Sequence, residues 1–159
     1  MKIGIILHSQ TGNTLQVGEK LLEKLRNDGH NVTLLRMQNR QNTDATKRQK
    51  EVNLDCMPEV AGYDALIFGG WVEAFQLCSG LTMYLNQLAK IETNNVSCFV
   101  TQHFPFRWMG GNNALAKMAS ILAIKGVKVR ASGVVNWSNK QKEKQIDALV
   151  ELFSRQFDN

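Results

Sequence analysis

Apolar runs of strand length alternate with helical patterns five times along this chain of 159 residues. The first, third and fourth runs are nearly continuous in apolar side chains, as strands covered on both faces are, whereas the second and fifth resemble strands nearer an edge. Because parallel strands need a helical crossover, this alternation predicts βαβ units and an α/β fold with a parallel sheet. The predicted strands cover residues 3–7, 32–37, 65–68, 96–100 and 127–135.

Helical periodicity fills the segments between these runs. The predicted helices cover about residues 12–27, 79–90 and 112–125, and a last helix carries an apolar stripe that we expect to pack on the core. The stripe consists of Ile146, Leu149, Val150, Phe153 and Phe157. The chain has no internal repeats and the length of one ordinary domain, so residues 1–159 are predicted to form a single domain. Residues 38–55 are polar and have no clear period, so a surface segment without an assigned role is expected there.

Several classes of protein are disfavoured by the composition. No apolar run approaches the roughly 20 residues of a membrane helix. The N-terminal apolar run stops at His8 with no cleavage-site pattern after it, which indicates a buried strand of a cytoplasmic protein. Cys56, Cys78 and Cys98 are too few and too scattered for a disulfide framework or a zinc site, so we expect free thiols. Cys78 lies near a predicted helix N-terminus, where a thiol pKa can fall, but packing is its expected role.

The charge indicates what kind of partner the chain meets. A formal net charge of +5 and a pI of about 9.2 favour acidic proteins and anionic cofactors. The lysine-rich stretches at 47–50 and 140–144 are not interleaved with aromatic residues, unlike a platform for single-stranded nucleic acid. We therefore expect neither a nucleic-acid nor a membrane partner, and the sequence leaves a monomer and a homodimer equally open.

The strongest functional signal follows the first predicted strand. This segment opens a helix and consists of Ser9, Gln10, Thr11, Gly12, Asn13 and Thr14. Hydroxyl groups can donate to phosphate oxygens, a glycine lets the backbone approach closely, and a helix N-terminus presents free N–H groups and a positive dipole end. Doubly wound sheets also bind their ligands at the carboxyl ends of strands. These features predict a phosphate-binding loop; the alternative is a hydroxyl-rich turn that only caps the helix.

The loop lacks the residues that hold transferable or bridging phosphates. It contains no Lys or Arg, and neither G-x-x-x-x-G-K-[ST] nor G-x-G-x-x-G occurs in the chain. A phosphoacceptor receiver domain is disfavoured as well, because the first and third strands are followed by Ser9 and Gly69 and not by carboxylates. The loop therefore suits one terminal phosphate that is bound and not transferred.

The segment from Ser9 to Thr14 resembles the FMN-phosphate loop of flavodoxins, whose pattern is [ST]-x-T-G-x-T. The resemblance extends over the whole chain, with five strands, this loop after the first, and further ligand loops after the third and fourth. It implies a flavodoxin-like fold: one doubly wound, five-stranded parallel sheet in the order 2-1-3-4-5, with helices on both faces and FMN where the order reverses. It also implies electron transfer or flavin-dependent oxidoreductase chemistry.

Two later loops are implied by the resemblance to hold the flavin ring. The loop after the third strand would pack against one ring face with Gly69, Gly70, Trp71 and Val72. The loop after the fourth strand would cover the other face and the pyrimidine edge with Thr101, Gln102, His103, Phe104, Phe106, Trp108 and Gly110. Trp71 stands where the family often has proline, and Glu73 where it often has the aromatic residue. The sequence therefore leaves open which aromatic side chain stacks on the ring.

The charge in the last of these loops suggests a redox property. Acidic flavodoxins, as the resemblance implies, surround their flavin with carboxylates that oppose the reduced anion. The loop here carries His103 and Arg107 and no carboxylate, and a positive charge near the ring would stabilise that anion. We hypothesise that full reduction of the flavin occurs at a less negative potential than in acidic flavodoxins.

Three functions remain open at this point. The first is an electron shuttle between larger redox partners, for which the charge favours acidic proteins. The second is an NAD(P)H-dependent reductase, in which the nicotinamide would dock over the flavin because no dinucleotide motif is present. The third is a flavodoxin-fold binding module that does not use FMN and binds another phosphate-bearing ligand or a protein.

Overall fold

A computed structural model describes residues 1–37 and 57–158. Its sheet contains β1 (Lys2–His8), β2 (Asn31–Met37), β3 (Ala65–Glu73), β4 (Gln76–Leu77), β5 (Val96–Gln102) and β6 (Val129–Asn136). The five long strands are parallel and lie in the order β2-β1-β3-β5-β6. The predicted order 2-1-3-4-5 is confirmed, because β5 and β6 are the fourth and fifth strands predicted from the sequence.

Four helices cover the two faces of the sheet: α1 (Asn13–Asn27), α2 (Ser79–Gln87), α3 (Gly111–Ile124) and α4 (Lys142–Phe157). The buried residues of α1 and α4 share one apolar cluster with one face of the sheet, and those of α2 and α3 share a second cluster with the other face. The predicted stripe of α4 is buried in the first of these clusters, from Ile146 to Phe157. Each helix thus buries an apolar stripe against the sheet.

The third strand differs from the prediction. It extends past Phe68 to Glu73 and returns as β4, pairing Val72 with Leu77 in an antiparallel hairpin. The prediction ended this strand at Phe68 and assigned Gly69 and Gly70 to the following loop. The structure gives a packing reason for them: a Cβ atom on Gly69 would lie 2.4 Å from Phe99 Cζ, and one on Gly70 would lie 2.7 Å from Leu81 Cδ2. Close approach of neighbouring side chains requires glycine at both positions.

The carboxyl ends of β1, β3 and β5 meet at one edge of the sheet, because the three strands are adjacent and parallel. The three ligand loops predicted from the sequence therefore lie side by side there. The surface segment predicted at residues 38–55 lies outside the residues that the structure describes. Among the helices of the described residues, none is long and apolar enough to span a membrane.

Candidate functional site

A cavity of about 250 Å³ opens where the three loops converge. Nine of the predicted site residues line it: Gln10, Thr11, Asn13, Thr14, Trp71, Val72, Thr101, Gln102 and His103. A larger groove of about 490 Å³ lies between β4, α2 and α3, with a lining that includes Thr82, Asn86 and Lys117. That groove lies on outer helix surfaces, whereas the smaller cavity is at the strand ends, where folds of this kind bind ligands.

The first loop leads directly into α1. Gly12 precedes the helix with a φ of +93°, a left-handed conformation that glycine adopts freely, and open space lies where its Cβ would be. Leu15 N donates to Ser9 Oγ at 3.3 Å, so the buried Ser9 hydroxyl satisfies one amide of the first helical turn. That turn contains no acidic residue. Its remaining free amides and positive dipole end favour an anion at this point.

Thr14 connects the first loop to the two strands beside it. Its Oγ1 donates to Gly70 O at 3.3 Å and lies 2.9 Å from Thr101 Oγ1. A hydroxyl carries one proton, so when Thr14 donates to Gly70, Thr101 must donate to Thr14. Both threonines are buried but still line the cavity. The hydroxyl of Thr14, predicted to face a phosphate, is thus engaged in joining the loops.

Trp71 forms an inner wall of the cavity. Its ring is half-buried and lies 6.3 Å from the His8 ring, and its Nε1 is buried without a hydrogen-bond partner in the described residues. His8 Nδ1 is 3.4 Å from Cys78 Sγ, and the ring fits because a Cβ atom on Gly80 would lie only 2.5 Å from it. Burial raises the pKa of the Cys78 thiol to about 11, so the thiol is protonated at neutral pH. The structure therefore gives Cys78 a packing role.

Gln102 supports the third loop from behind. Its side chain is buried, and Nε2 donates to the carbonyl of Phe106 and to Asn136 Oδ1 at the end of β6. Asn136 Nδ2 in turn donates to Gln145 Oε1 of α4, at 3.1 Å. The Oε1 atom of Gln102 is buried and has no partner in the described residues. This amide fixes where the third loop runs.

The aromatic side chains of the third loop lie outside the cavity lining. Phe104, Phe106 and Trp108 are 38%, 54% and 71% exposed. Phe104 stacks on Phe75 with ring centres 5.3 Å apart and planes inclined by 7°, and Phe106 lies parallel to Trp108 with centres 6.1 Å apart. Phe75 was not among the predicted site residues. These four rings lie on the hairpin and the third loop, which also carry the lining residues Val72 and His103, whereas Trp71 itself lines the cavity.

Three of the four predicted site glycines, Gly69, Gly70 and Gly110, play structural parts. Gly69 and Gly70 lie within the buried part of β3. Gly110, with a φ of +116°, sits against the hairpin, since a Cβ atom there would lie 2.7 Å from Val72 Cγ1 and 2.8 Å from Phe75 Cα. Together with Ser9 and Gly12, these residues shape the site without lining the cavity.

Three basic side chains, those of Arg36, His103 and Arg107, are placed differently relative to the site. Arg36 Nη2 donates to Ser9 O at 3.0 Å, which places a guanidinium beside the first loop. Sequence reasoning missed Arg36 because it is 27 residues away, although its place at the end of the neighbouring strand was a usable signal. His103 lines the cavity, whereas Arg107 Nε donates to Asn112 Oδ1 at 3.0 Å at the start of α3. Of the His103–Arg107 pair, only His103 lines the cavity.

Comparison with solved structures identifies the fold. Flavodoxin 2 from Bacillus cereus superimposes with a TM-score of 0.70 at 16% identity, covering 99% of this chain and 100% of that one. A WrbA-like flavodoxin from Agrobacterium tumefaciens gives a TM-score of 0.70 at 13% identity, over 97% and 93% of the two chains. A flavoprotein in complex with FMN from Lactobacillus acidophilus NCFM gives 0.62 at 16% identity, over 93% and 97%. The sequence matches no protein-family model and no curated protein. The chain is thus similar to flavodoxins and FMN flavoproteins over nearly its whole length and has the flavodoxin-like fold.

Proposed function

We propose that this chain binds FMN and transfers electrons through it. The observation that carries the proposal is the convergence of three loops on one cavity at the carboxyl ends of β1, β3 and β5. Similar solved structures include flavodoxins and a flavoprotein in complex with FMN, which supports the choice of ligand. FMN, when bound, supplies the ability to accept and release electrons.

The residues of the cavity fit such a ligand. The first turn of α1 offers backbone amides without an acidic side chain, and Thr11 and Asn13 add polar groups beside them. A cavity of about 250 Å³ lined largely by hydroxyl and amide groups suits a phosphate and a polyol chain. The stacked Phe75 and Phe104 rings, on the hairpin and the third loop, leave their outer planar faces for a flat ring.

The remaining residues set the conditions in the cavity. Trp71 and Val72 close its inner side and exclude water there. His103 contributes a group that can carry positive charge, whereas none of the described residues that line the cavity is a carboxylate. These features support the hypothesis of a less negative potential for full reduction of the flavin, and a redox titration against an acidic flavodoxin would test it.

The first experiment adds FMN to the purified protein and records the visible spectrum and flavin fluorescence. We expect structured absorbance and quenched fluorescence. Riboflavin, which lacks the phosphate, should bind more weakly by roughly ten- to hundredfold, the value of one hydrogen bond to a charged group. Thr11→Val should weaken FMN binding and leave riboflavin binding unchanged, with Thr33→Val on β2 as the matched control. A spectrum unchanged at micromolar FMN would refute the proposal.

A second candidate is a flavodoxin-fold module that does not use FMN. The hydroxyl of Thr14 bonds within the protein and that of Ser9 accepts a helix amide, which is the behaviour of a structural turn. A protein that stays colourless in FMN but binds inorganic phosphate would favour this function. If FMN does bind, turnover with NADPH alone separates a reductase from an electron shuttle.

A further inference from the structure

The exposed aromatic residues of the described chain are concentrated in one place. Eight large hydrophobic side chains are exposed in residues 1–37 and 57–158, and the four aromatic ones lie on the β3–β4 hairpin and the neighbouring third loop. We call Phe75, Phe104, Phe106 and Trp108 the aromatic rim. Clustered exposed aromatic groups are uncommon on a soluble domain and mark interaction sites.

The aromatic rim is held in place by the fold. Ala74 and Phe75 have φ values of +48° and +64°, which are unfavourable for residues with a side chain. The hairpin maintains them through Cys78 N donating to Trp71 O at 2.9 Å, and Gly110 packs against the backbone of Phe75. Strain of this kind persists where the structure presents a functional group. A preformed surface also loses little conformational freedom when it binds.

The charges beside the aromatic rim are mostly positive. Arg107 stands between Phe106 and Trp108 in the third loop. The segment after β6 packs against this loop, with Ser138 N donating to His103 O at 3.2 Å and Asn139 Nδ2 to Pro105 O at 3.1 Å. This segment continues into Lys140 and Lys142.

The nearby carboxylates of the described residues are engaged. Glu73 Oε2 accepts from Ser79 N and Oγ, at 3.1 and 3.2 Å, and Glu143 Oε2 lies 2.8 Å from Lys20 Nζ. Glu73 keeps its negative charge, but Arg107, Lys140 and Lys142 outnumber it, so the aromatic rim combines an apolar centre with a border of net positive charge. A complementary partner surface would have an apolar centre with an anionic border.

We propose that the aromatic rim is a docking surface for an acidic protein that presents an apolar patch bordered by Asp and Glu. Phe, Trp and Arg are enriched in the cores of protein interfaces, where they carry most of the binding energy. A second copy of this chain is a poor occupant, because two cationic borders would repel each other. The aromatic rim lies on the same hairpin and loop as the cavity-lining residues Val72 and His103, so the partner would sit near the proposed FMN site. The docking proposal does not depend on FMN binding.

The test uses a labelled random copolymer of Glu and Tyr as the probe, with poly-Glu of equal length as the charge control. Binding to the full-length protein is followed by fluorescence anisotropy at several salt concentrations. We expect the copolymer to bind at least about tenfold more tightly than poly-Glu, since aromatic anchors dominate interface energies. The double variant Phe106→Ala/Trp108→Ala should lose this preference. Ile124→Ala/Leu152→Ala, which removes exposed apolar side chains elsewhere, should keep it.

A second pair of variants tests the cationic border. Arg107→Gln should weaken copolymer binding at low salt and flatten its salt dependence, whereas Lys128→Gln, near the opposite end of β6, should not. Circular dichroism of each variant confirms folding.

Three results would overturn the docking proposal. The first is equal affinity for the copolymer and poly-Glu. The second is a preference for the copolymer over poly-Glu that survives in the Phe106→Ala/Trp108→Ala variant. The third is rim-dependent binding to phosphatidylglycerol vesicles or oligo-dT without binding to the copolymer. A parallel FMN titration keeps the two proposals separate. A protein that binds the copolymer but not FMN would refute only the proposed function.

Discussion

The hydroxyl pair formed by Thr14 and Thr101 provides a direct test of how the site is assembled. When Thr14 donates to Gly70 O, Thr101 must donate to Thr14, which gives the pair a direction. The two threonines therefore contribute unequally to stability. Thr101→Val leaves the bond from Thr14 to Gly70 intact, whereas Thr14→Val removes the donor to Gly70 and the acceptor of Thr101 together.

The magnitudes follow from burial. Both hydroxyls are about 98% or more buried, so a group left without a partner is not rescued by solvent. Thr101→Val removes one net hydrogen bond and should lower the free energy of unfolding by about 1 kcal/mol. Thr14→Val leaves two buried polar groups without this partner and should cost about 2–6 kcal/mol, at 1–3 kcal/mol for each group. In the double variant the Thr101 hydroxyl is absent, so the cost should be about 1 kcal/mol less than the sum of the single costs.

Urea unfolding of the three variants and the wild type measures this cycle, with the midpoint and the slope fitted together. Unchanged slopes would confirm that the variants alter the folded state and not the compactness of the unfolded chain. A Thr101→Val variant as destabilised as Thr14→Val would contradict the donor direction. Strict additivity would show that the two hydroxyls do not interact.

Two further predictions concern the same region. Gly110→Ala should lower the free energy of unfolding by about 3 kcal/mol, because left-handed strain adds to a collision with Val72 and with the backbone of Phe75. Gly126→Ala, at a φ of +79° with open space around it, should lower it by only about 1 kcal/mol. Urea unfolding of both variants measures the difference. In a Cys56→Ser background, the Cys78 thiol should not react with a disulfide reagent at pH 8 until urea unfolds the protein, because burial raises its pKa to about 11 from 9.0. The unfolded thiol ionises first, so wild-type stability should fall relative to Cys78→Ala as the pH rises from about 9 to 11, and equal pH profiles would contradict this.

The long strands could be predicted because each one has a local pattern of apolar residues, and their order then followed from the resemblance to flavodoxins. The runs beginning at Ile3, Ala65 and Val96 are nearly continuous in apolar residues, and all are buried in the sheet. The β3–β4 hairpin was missed because its turn, formed by Ala74 and Phe75, lacks the Asn or Gly that positive φ usually requires. Long-range packing, which no local pattern encodes, holds this turn.

The candidate site was foreseen where it depends on a local motif. The loop from Ser9 to Thr14 could be read directly, because phosphate binding by a helix N-terminus needs a contiguous segment. Arg36 was missed because it reaches the first loop from the neighbouring strand, 27 residues along the chain. The exposure of Phe106 and Trp108 could not be read either, since the direction of the third loop depends on Gln102 bonding to Asn136, 34 residues away.

One departure from the flavodoxin pattern has a physical explanation in the hairpin. Glu73 occupies a position where the family often has an aromatic residue, and its carboxylate instead accepts the Ser79 amide at the start of α2. That helix has no other side-chain cap, because Cys78 precedes it. An exposed aromatic face is supplied two residues later by Phe75, which the turn directs onto Phe104. The hairpin thus combines a carboxylate that accepts the Ser79 amide with an aromatic ring held in a left-handed conformation against the third loop.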